Sequence, residues 1–147
     1  MAATDLLAQK QAASRSDCVF CKIVAGTAPA FKLWEDKHFL AFLDNKPIMP
    51  GHTLIVPKEH HSYLFDMSKR DYDTIFERVR KLELPMRLAM QAKRIGLIVE
   101  GFGVDHVHVH MVPLTDRGQL LQKGRTDVTQ EEFKATAEKL RAAFEKK

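Results

Sequence analysis

The sequence predicts an α+β domain with a mainly antiparallel sheet of five strands, one long helix and a C-terminal helix. Strand-like apolar runs come first, a long helical pattern follows them, and further strand-like runs come after that helix. The chain of 147 residues is long enough to bury one core, and its 45% hydrophobic and 29% charged residues are typical of a globular protein.

The first two strands are predicted to form a hairpin. The runs FKLWED (31–36) and HFLAFLD (38–44) are short and apolar, and the residues EDKH between them suit a turn. The cluster NKPIMPG then interrupts regular structure. A third strand, HTLIVPK (52–58), is a continuous apolar run closed by Pro57.

One long helix follows these strands. Ser68 can cap its start, and the apolar side chains then recur at intervals of three and four residues, at Tyr72, Ile75, Phe76, Val79 and Leu82. Pro85 has no backbone N–H, so we expect it to kink or split the helix before Met86.

Two more strands and a final helix complete the predicted fold. The strands are IGLIVEG (95–101) and VHVHMVP (107–113). Thr129 and Glu132 form a capping box, and the helix they open has an apolar face made by Phe133, Ala137, Leu140 and Phe144.

We expect residues 1–16 to be an N-terminal extension, 17–114 the main domain, and 115–147 a loop and helix packed on that domain. The first residues lack the compact apolar core of a secretory signal. No apolar stretch approaches the roughly 18 residues needed to span a bilayer. The net charge of +4 comes from basic residues scattered among acidic ones, so we expect neither nucleic acid nor a membrane as a partner.

Three histidines alternate with valines in the stretch HVHVH (106–110). In a strand, His106, His108 and His110 share one face, about 7 Å apart, while the valines face the core. Buried imidazoles need partners, so the histidine face should border a cleft, a metal or an anion. A chance polar face, a catalytic metal site and a nucleophilic histidine are the three interpretations that the residues alone leave open.

The chain has two cysteines, Cys18 and Cys21, which are too few for a secreted disulfide scaffold and suit the reducing cytoplasm. A C-x-x-C pair is usually half of a metal site or a redox motif. The redox motif needs the pair at the start of a helix after a strand, whereas here it follows a polar segment and precedes a predicted turn.

The run 106–112 resembles the H-φ-H-φ-H-φ-φ signature of the histidine-triad (HIT) superfamily of nucleotide hydrolases and transferases. The segment from CVFCKIV to VPKEH (18–60) is also similar to the N-terminal half of HIT domains, especially the zinc-containing microbial members of the Hint branch. The resemblance covers residues 17–114 and implies a HIT-like fold and a homodimer.

The resemblance implies a catalytic role for three histidines. His108 would attack the α-phosphorus of a nucleoside 5′-phosphoramidate or a related nucleotide ester or anhydride. The nucleotidyl-histidine would then be hydrolysed to a nucleoside monophosphate such as AMP. His110 would contact the phosphate oxygens, and His52 would form a hydrogen bond within the triad.

The resemblance also implies a nucleoside site and a structural zinc site, with no organic cofactor. Asp44 would accept the ribose hydroxyls, and the base would lie in an apolar slot made by Val19, Phe20, Ile23 and Phe42. The zinc ligands would be Cys18, Cys21, His60 and His106. His61 is the rival to His60, and an empty site with two free thiols is the alternative to zinc.

The chain departs from the family pattern in two ways. Where many relatives carry G-Q-S or G-Q-T before the triad, this chain has Gly101, Phe102 and Gly103, and Glu100 replaces an asparagine. The Gly103 N–H remains as a donor to a phosphate oxygen. We therefore expect an intact nucleotide site with an altered rate and leaving-group preference. A nucleotide-binding or scaffold protein that has lost its chemistry is the second hypothesis.

Overall fold

The computed structural model describes residues 15–146, so most of the predicted N-terminal extension lies outside it. In chain order the elements are α1 (Val19–Ala25), β1 (Lys32–Glu35), β2 (Phe39–Leu43), β3 (Thr53–Pro57), α2 (Lys69–Ala89), β4 (Arg94–Ile98), β5 (Val109–Leu114) and α3 (Gln130–Glu145). Short 3₁₀ helices lie at Leu64–Asp66 and Gln119–Leu121. None of the helices in this range combines the length and the apolar character that crossing a membrane requires.

The five strands form one sheet in the order β1-β2-β3-β5-β4, and every neighbouring pair is antiparallel. This confirms the predicted α+β class and the predicted β1–β2 hairpin. The pairing of β3 with β5 sets Leu54 opposite His110. His52, which immediately precedes β3, is thereby brought beside the histidine strand although 58 residues separate it from His110.

The two faces of the sheet are covered by different helices. One face packs against α2 and α3 and carries Val107, Val109 and Met111 in the larger hydrophobic core. The other face carries Leu40, Phe42, Leu54 and Val56, which pack with α1. The predicted division of the 106–111 run into a core face and a histidine face is therefore correct.

The histidine strand begins later than predicted. β5 starts at Val109, and the residues before it leave the β3 ladder. One contact and one missing donor explain this. The Val107 N–H donates to the His61 carbonyl at 2.7 Å, and Pro57, at the end of β3, has no N–H for the ladder.

The long helix α2 begins as predicted, because the Ser68 side chain accepts a hydrogen bond from the Asp71 N–H. It is not split at Pro85 and continues to Ala89. Leu82 and Met86, on either side of the proline, are almost fully buried. Their packing holds both parts in one helix, since tertiary packing supplies most of the stability of a helix in a protein.

The helix α3 joins the C-terminal segment to the same domain. Thr129 caps it by accepting from the Glu132 N–H, as predicted. Its buried residues Phe133, Ala137 and Leu140 belong to the larger core. Arg141 Nε also donates to the Lys32 carbonyl at 2.6 Å, which ties α3 to β1.

The helix α1 was not predicted. Cys18 is its N-cap and Cys21 lies in its first turn, where the sequence suggested only a turn. Phe20 and Ile23, three residues apart, pack on the sheet and hold this short helix in place. The cysteine pair therefore opens a helix, but the thiols face histidines rather than each other in a disulfide.

Candidate functional site

A cavity of about 920 Å³ opens on the sheet face beside α1. This volume lies near the upper end of the ~300–1,000 Å³ that is usual for small-molecule sites. Every residue predicted to bind substrate or to act in catalysis borders it: Val19, Phe20, Ile23, Phe42, Asp44, His52, Gly103, His108 and His110. The predicted metal ligands lie in a separate cluster.

The tautomer of His108 is fixed by a backbone carbonyl. His108 Nδ1 lies 2.7 Å from the His106 carbonyl oxygen, which can only accept a hydrogen bond, so Nδ1 carries the proton. The neutral ring therefore keeps an unprotonated Nε2. The ring is 6% exposed, borders the cavity, and packs edge-on against Phe20 at 5.3 Å between centroids.

A chain of three hydrogen-bonding groups fixes the other two histidines. The Ile48 N–H donates to His52 Nδ1 at 2.9 Å, which makes that nitrogen an acceptor. His52 Nε2–H then donates to His110 Nδ1, also at 2.9 Å. His110 must consequently carry its proton on Nε2. This arrangement turns His110 into a donor for an anion in the cavity while the ring remains neutral.

Asp44 lies beside this histidine pair. Its Oδ2 is 3.6 Å from His52 Nε2 and 3.8 Å from His110 Nδ1. Its Oδ1 accepts a hydrogen bond from the Lys46 N–H at 2.7 Å, which orients the carboxylate. A carboxylate has about four acceptor sites, so Asp44 retains acceptor capacity for a pair of hydroxyl groups.

Burial lowers the pKa of two of these histidines, His52 and His110. Burial lowers the pKa of His52 to about 4, and the nearby Asp44 carboxylate offsets only part of this effect. The pKa of His110 is lowered by burial and then by His108, with Asp44 and Glu100 acting in the opposite direction. His52 and His110 are therefore uncharged at neutral pH, which is the form that their hydrogen-bond directions require.

Cys18, Cys21, His60 and His106 form a buried cluster whose ligand atoms lie within 4.8 Å of one another. Cys18 Sγ is 3.4 Å from His106 Nδ1, and Cys21 Sγ is 3.4 Å from His60 Nδ1 and 3.6 Å from His106 Nδ1. His61 points elsewhere, toward Glu59 and Asp71, so His60 is the histidine that the cluster contains.

The chemistry of this donor set fits a metal ion. His106 Nε2–H donates to the Pro57 carbonyl at 2.8 Å, so the Nδ1 lone pair is directed into the cluster. Burial lowers the pKa of His106 to about 4 and raises the pKa of the Cys18 thiol. The four donor atoms converge at one buried point, and two thiolates with two neutral imidazoles are a set that a cation such as Zn²⁺ binds.

Several features of the site could not be predicted from the sequence. The Ile48 N–H and the Pro57 carbonyl are backbone groups, whose direction depends on the fold. Gly124 was also missed: a Cβ there would lie 2.1 Å from the Lys46 carbonyl oxygen, so only glycine lets the C-terminal segment pack against the loop after Asp44.

Comparisons with known proteins agree with the fold. The HIT domain model matches residues 25–117. The adenosine 5′-monophosphoramidase of Schizosaccharomyces pombe is 35% identical over 127 residues, which cover 84% of this chain and 95% of that protein. A zinc-bound histidine triad family protein from Mycobacterium smegmatis has a similar structure, with a TM-score of 0.75 and 31% identity, over 87% of this chain and 93% of that one.

The low pKa of His52 predicts a loss of stability in mild acid. Between pH 6.5 and about 4, the unfolded chain binds a proton at His52 that the folded chain does not bind, so the free energy of unfolding falls as the pH drops through this window. One such proton changes the free energy of unfolding by roughly 1.4 kcal/mol per pH unit. In urea titrations at several pH values, His52→Gln should therefore show a shallower pH dependence than the wild-type protein.

The exposed His38 provides the matched control, because its ring is not part of the cavity. His38→Gln should retain the wild-type pH dependence. An identical slope for His52→Gln and the wild-type protein would show that His52 is not held neutral by the fold.

Proposed function

Because the chain belongs to the HIT domain family, we propose that it is a nucleotide hydrolase or transferase that acts at the α-phosphorus of nucleoside 5′-phosphoramidates or related nucleotide esters and anhydrides. The product is a nucleoside monophosphate such as AMP. One observation carries the proposal: the His106 carbonyl holds the Nδ1 proton of His108 and leaves Nε2 unprotonated on a ring that borders the cavity. Two yeast relatives bearing the name adenosine 5′-monophosphoramidase support the substrate class.

The cavity suits a nucleotide in one orientation. The base lies against the apolar residues at the α1 end, Val19, Phe20, Ile23 and Phe42. Asp44 accepts hydrogen bonds from the two ribose hydroxyls. The α-phosphate then reaches the histidines, where His110 Nε2–H donates to a phosphate oxygen. The Gly103 N–H is a second donor at this end of the cavity.

The reaction proceeds in two displacements. The lone pair of His108 Nε2 forms a bond to the α-phosphorus, the bond from phosphorus to the leaving group breaks, and a leaving amine takes up a proton from solvent. Water then attacks the same phosphorus, the N–P bond breaks, and the nucleoside monophosphate leaves with the oxygen of that water. The neutral state of His108 is essential, since a protonated Nε2 has no lone pair to donate.

A second candidate function is nucleotide binding without efficient catalysis. The segment Glu100–Gly103 favours it, because Phe102 stands where many relatives have a polar side chain that contacts the phosphate. Loss of a donor aimed at developing charge reduces a rate by about 10²–10³-fold. Such a protein would bind AMP through the same cavity, and its turnover would not depend on His108.

We further propose that the Cys18, Cys21, His60 and His106 cluster binds Zn²⁺ as a structural ion. Two cysteines and two histidines are a common tetrahedral ligand set for this metal, and all four residues are buried, which suits a closed site. The ion would link α1 to the catalytic strand. Two unoxidised thiols also fit a cytoplasmic location.

The protein is proposed to act as a homodimer. The edge strand β4 pairs only with β5 among the described residues, and its Leu97 is 44% exposed. Leu84 and Leu88 of α2 are also exposed, at 50% and 65%. A second copy covering these side chains would bury apolar surface and complete the edge of the sheet.

His108→Ala tests the proposed chemistry. With adenosine 5′-phosphoramidate as substrate, AMP release followed by chromatography should fall by at least about 10³-fold, because the nucleophile is removed. His38→Ala, which removes an exposed histidine, should retain wild-type activity. Unchanged turnover in His108→Ala, together with AMP binding measured by calorimetry, would favour the binding protein over the enzyme.

Cys21→Ser tests the zinc site. The purified wild-type protein should contain equimolar zinc by atomic emission, and the variant should contain little, since a tetrahedral site loses one thiolate. The variant should also unfold at a lower urea concentration. Bound metal adds about 4 kcal/mol to the free energy of unfolding when the free metal concentration is 1,000-fold above Kd.

His61→Ala is the matched control for this experiment, because His61 neighbours His60 in sequence but faces Glu59 and Asp71. It should keep equimolar zinc. Equal zinc contents in Cys21→Ser and the wild-type protein would contradict the assigned ligands.

A further inference from the structure

The loop between β4 and the histidine strand holds an aromatic side chain in an unusual position. Phe102 is 78% exposed, yet it borders the cavity. The glycines on both sides have positive φ angles, 87° for Gly101 and 85° for Gly103, and a Cβ on either would meet no atom within 4 Å. The loop therefore presents a large apolar ring at the mouth of the cavity without packing it into the core.

The position of this loop in the cavity follows from the groups around it. The apolar slot and Asp44 occupy the nucleoside end, and His108 and His110 mark the phosphate. Glu100 lies close enough to His110 to influence it electrostatically, so the loop borders the phosphate end. Because Phe102 and Gly103 line the cavity together with His108 and His110, the loop is available to a leaving group on a phosphorus held by those histidines.

The charges along the cavity restrict which leaving groups this end accepts. Among the described residues that line the cavity, the side chains with a full charge are Asp44, Lys46 and Glu100. Lys46 follows Asp44 in the loop at the ribose end, so the Glu100–Val104 loop contributes a carboxylate and no cation. A phosphate or polyphosphate leaving group would face that carboxylate without a counter-charge.

We propose that Phe102 and Glu100 form a leaving-group subsite that selects aromatic or apolar amines and rejects anionic leaving groups. The inference rests on the proposed function and narrows its substrates to N-substituted nucleoside phosphoramidates. The phenyl ring of Phe102 packs against an aromatic or alkyl group on the departing nitrogen, which removes apolar surface of both from water. Phe102 acts on specificity, and the bonds that form and break are those of the two displacements at phosphorus.

Three substrates separate the apolar contact of Phe102 from the charge of Glu100. They are adenosine 5′-phosphoramidate, its N-benzyl derivative, and ADP, whose leaving group is phosphate. Benzylamine and ammonia are almost equally basic, so the first two substrates differ mainly in the benzyl group. The wild-type protein should cleave the N-benzyl compound with a higher kcat/KM. Phe102→Ala should lower the ratio of the two kcat/KM values by about 10-fold, the equivalent of an aromatic contact of roughly 1.4 kcal/mol.

Glu100→Gln tests whether the negative charge of Glu100 rejects anionic leaving groups. Removing the carboxylate should raise kcat/KM for ADP relative to adenosine 5′-phosphoramidate by about 5-fold, in line with ~1 kcal/mol between unit charges about 4 Å apart in water. Leu121→Ala is the control for both variants, because Leu121 is a 90% exposed apolar residue that does not line the cavity. Leu121→Ala should leave both kcat/KM ratios unchanged, that of the N-benzyl compound and that of ADP to adenosine 5′-phosphoramidate.

The results distinguish failure of this inference from failure of the proposed function. If His108-dependent release of AMP persists but Phe102→Ala leaves the benzyl preference unchanged, the subsite is overturned and the proposed function stands. If no substrate is cleaved, the proposed function fails, and calorimetry with the same two phosphoramidates tests the subsite by binding. Equal Kd values for the two compounds in the wild-type protein would then overturn it.

Discussion

The histidine at position 106 links the two sites of this protein, and the rest of the arrangement depends on it. Its side chain joins the buried cysteine–histidine cluster through Nδ1 and contacts the Pro57 carbonyl through Nε2. Its backbone carbonyl fixes the tautomer of His108. A metal ion held by the side chain would therefore also hold the peptide group that orients the neighbouring imidazole, and a structural ion would support chemistry that it does not touch.

Burial in this fold affects the protonation of histidine side chains as well as the packing of apolar ones. His52 and His110 lie against each other where β3 pairs with β5, and their burial disfavours the charged imidazolium. Hydrogen bonds then determine which nitrogen of each neutral ring carries the proton: the Ile48 N–H does so for His52 and the His106 carbonyl for His108. The His52 side chain does so for His110. By contrast, residues 100–103 form an exposed loop, so a change of residue there should have little effect on stability.

The sequence predicted those features that depend on local chemistry. The caps at Ser68 and Thr129 and the two faces of the histidine run were correct, because they follow from side-chain hydrogen bonding and strand periodicity. Features that depend on tertiary contacts were not predicted. Pro85 was expected to kink or split α2, and the buried side chains on either side of it keep the helix unsplit. The short helix α1 forms because the sheet holds it. The Ile48 N–H that orients His52 belongs to the backbone and has no signature in sequence.

Nitrogen NMR of histidine tautomers tests the central claim most directly. In protein labelled with ¹⁵N in its imidazole rings, long-range proton–nitrogen correlations identify which ring nitrogen carries the proton, and the signal absent from His108→Gln assigns His108. The structure predicts that the neutral ring carries its proton on Nδ1 and leaves Nε2 bare. A neutral ring protonated on Nε2 would contradict the account, because that tautomer has no lone pair on Nε2 with which to attack phosphorus.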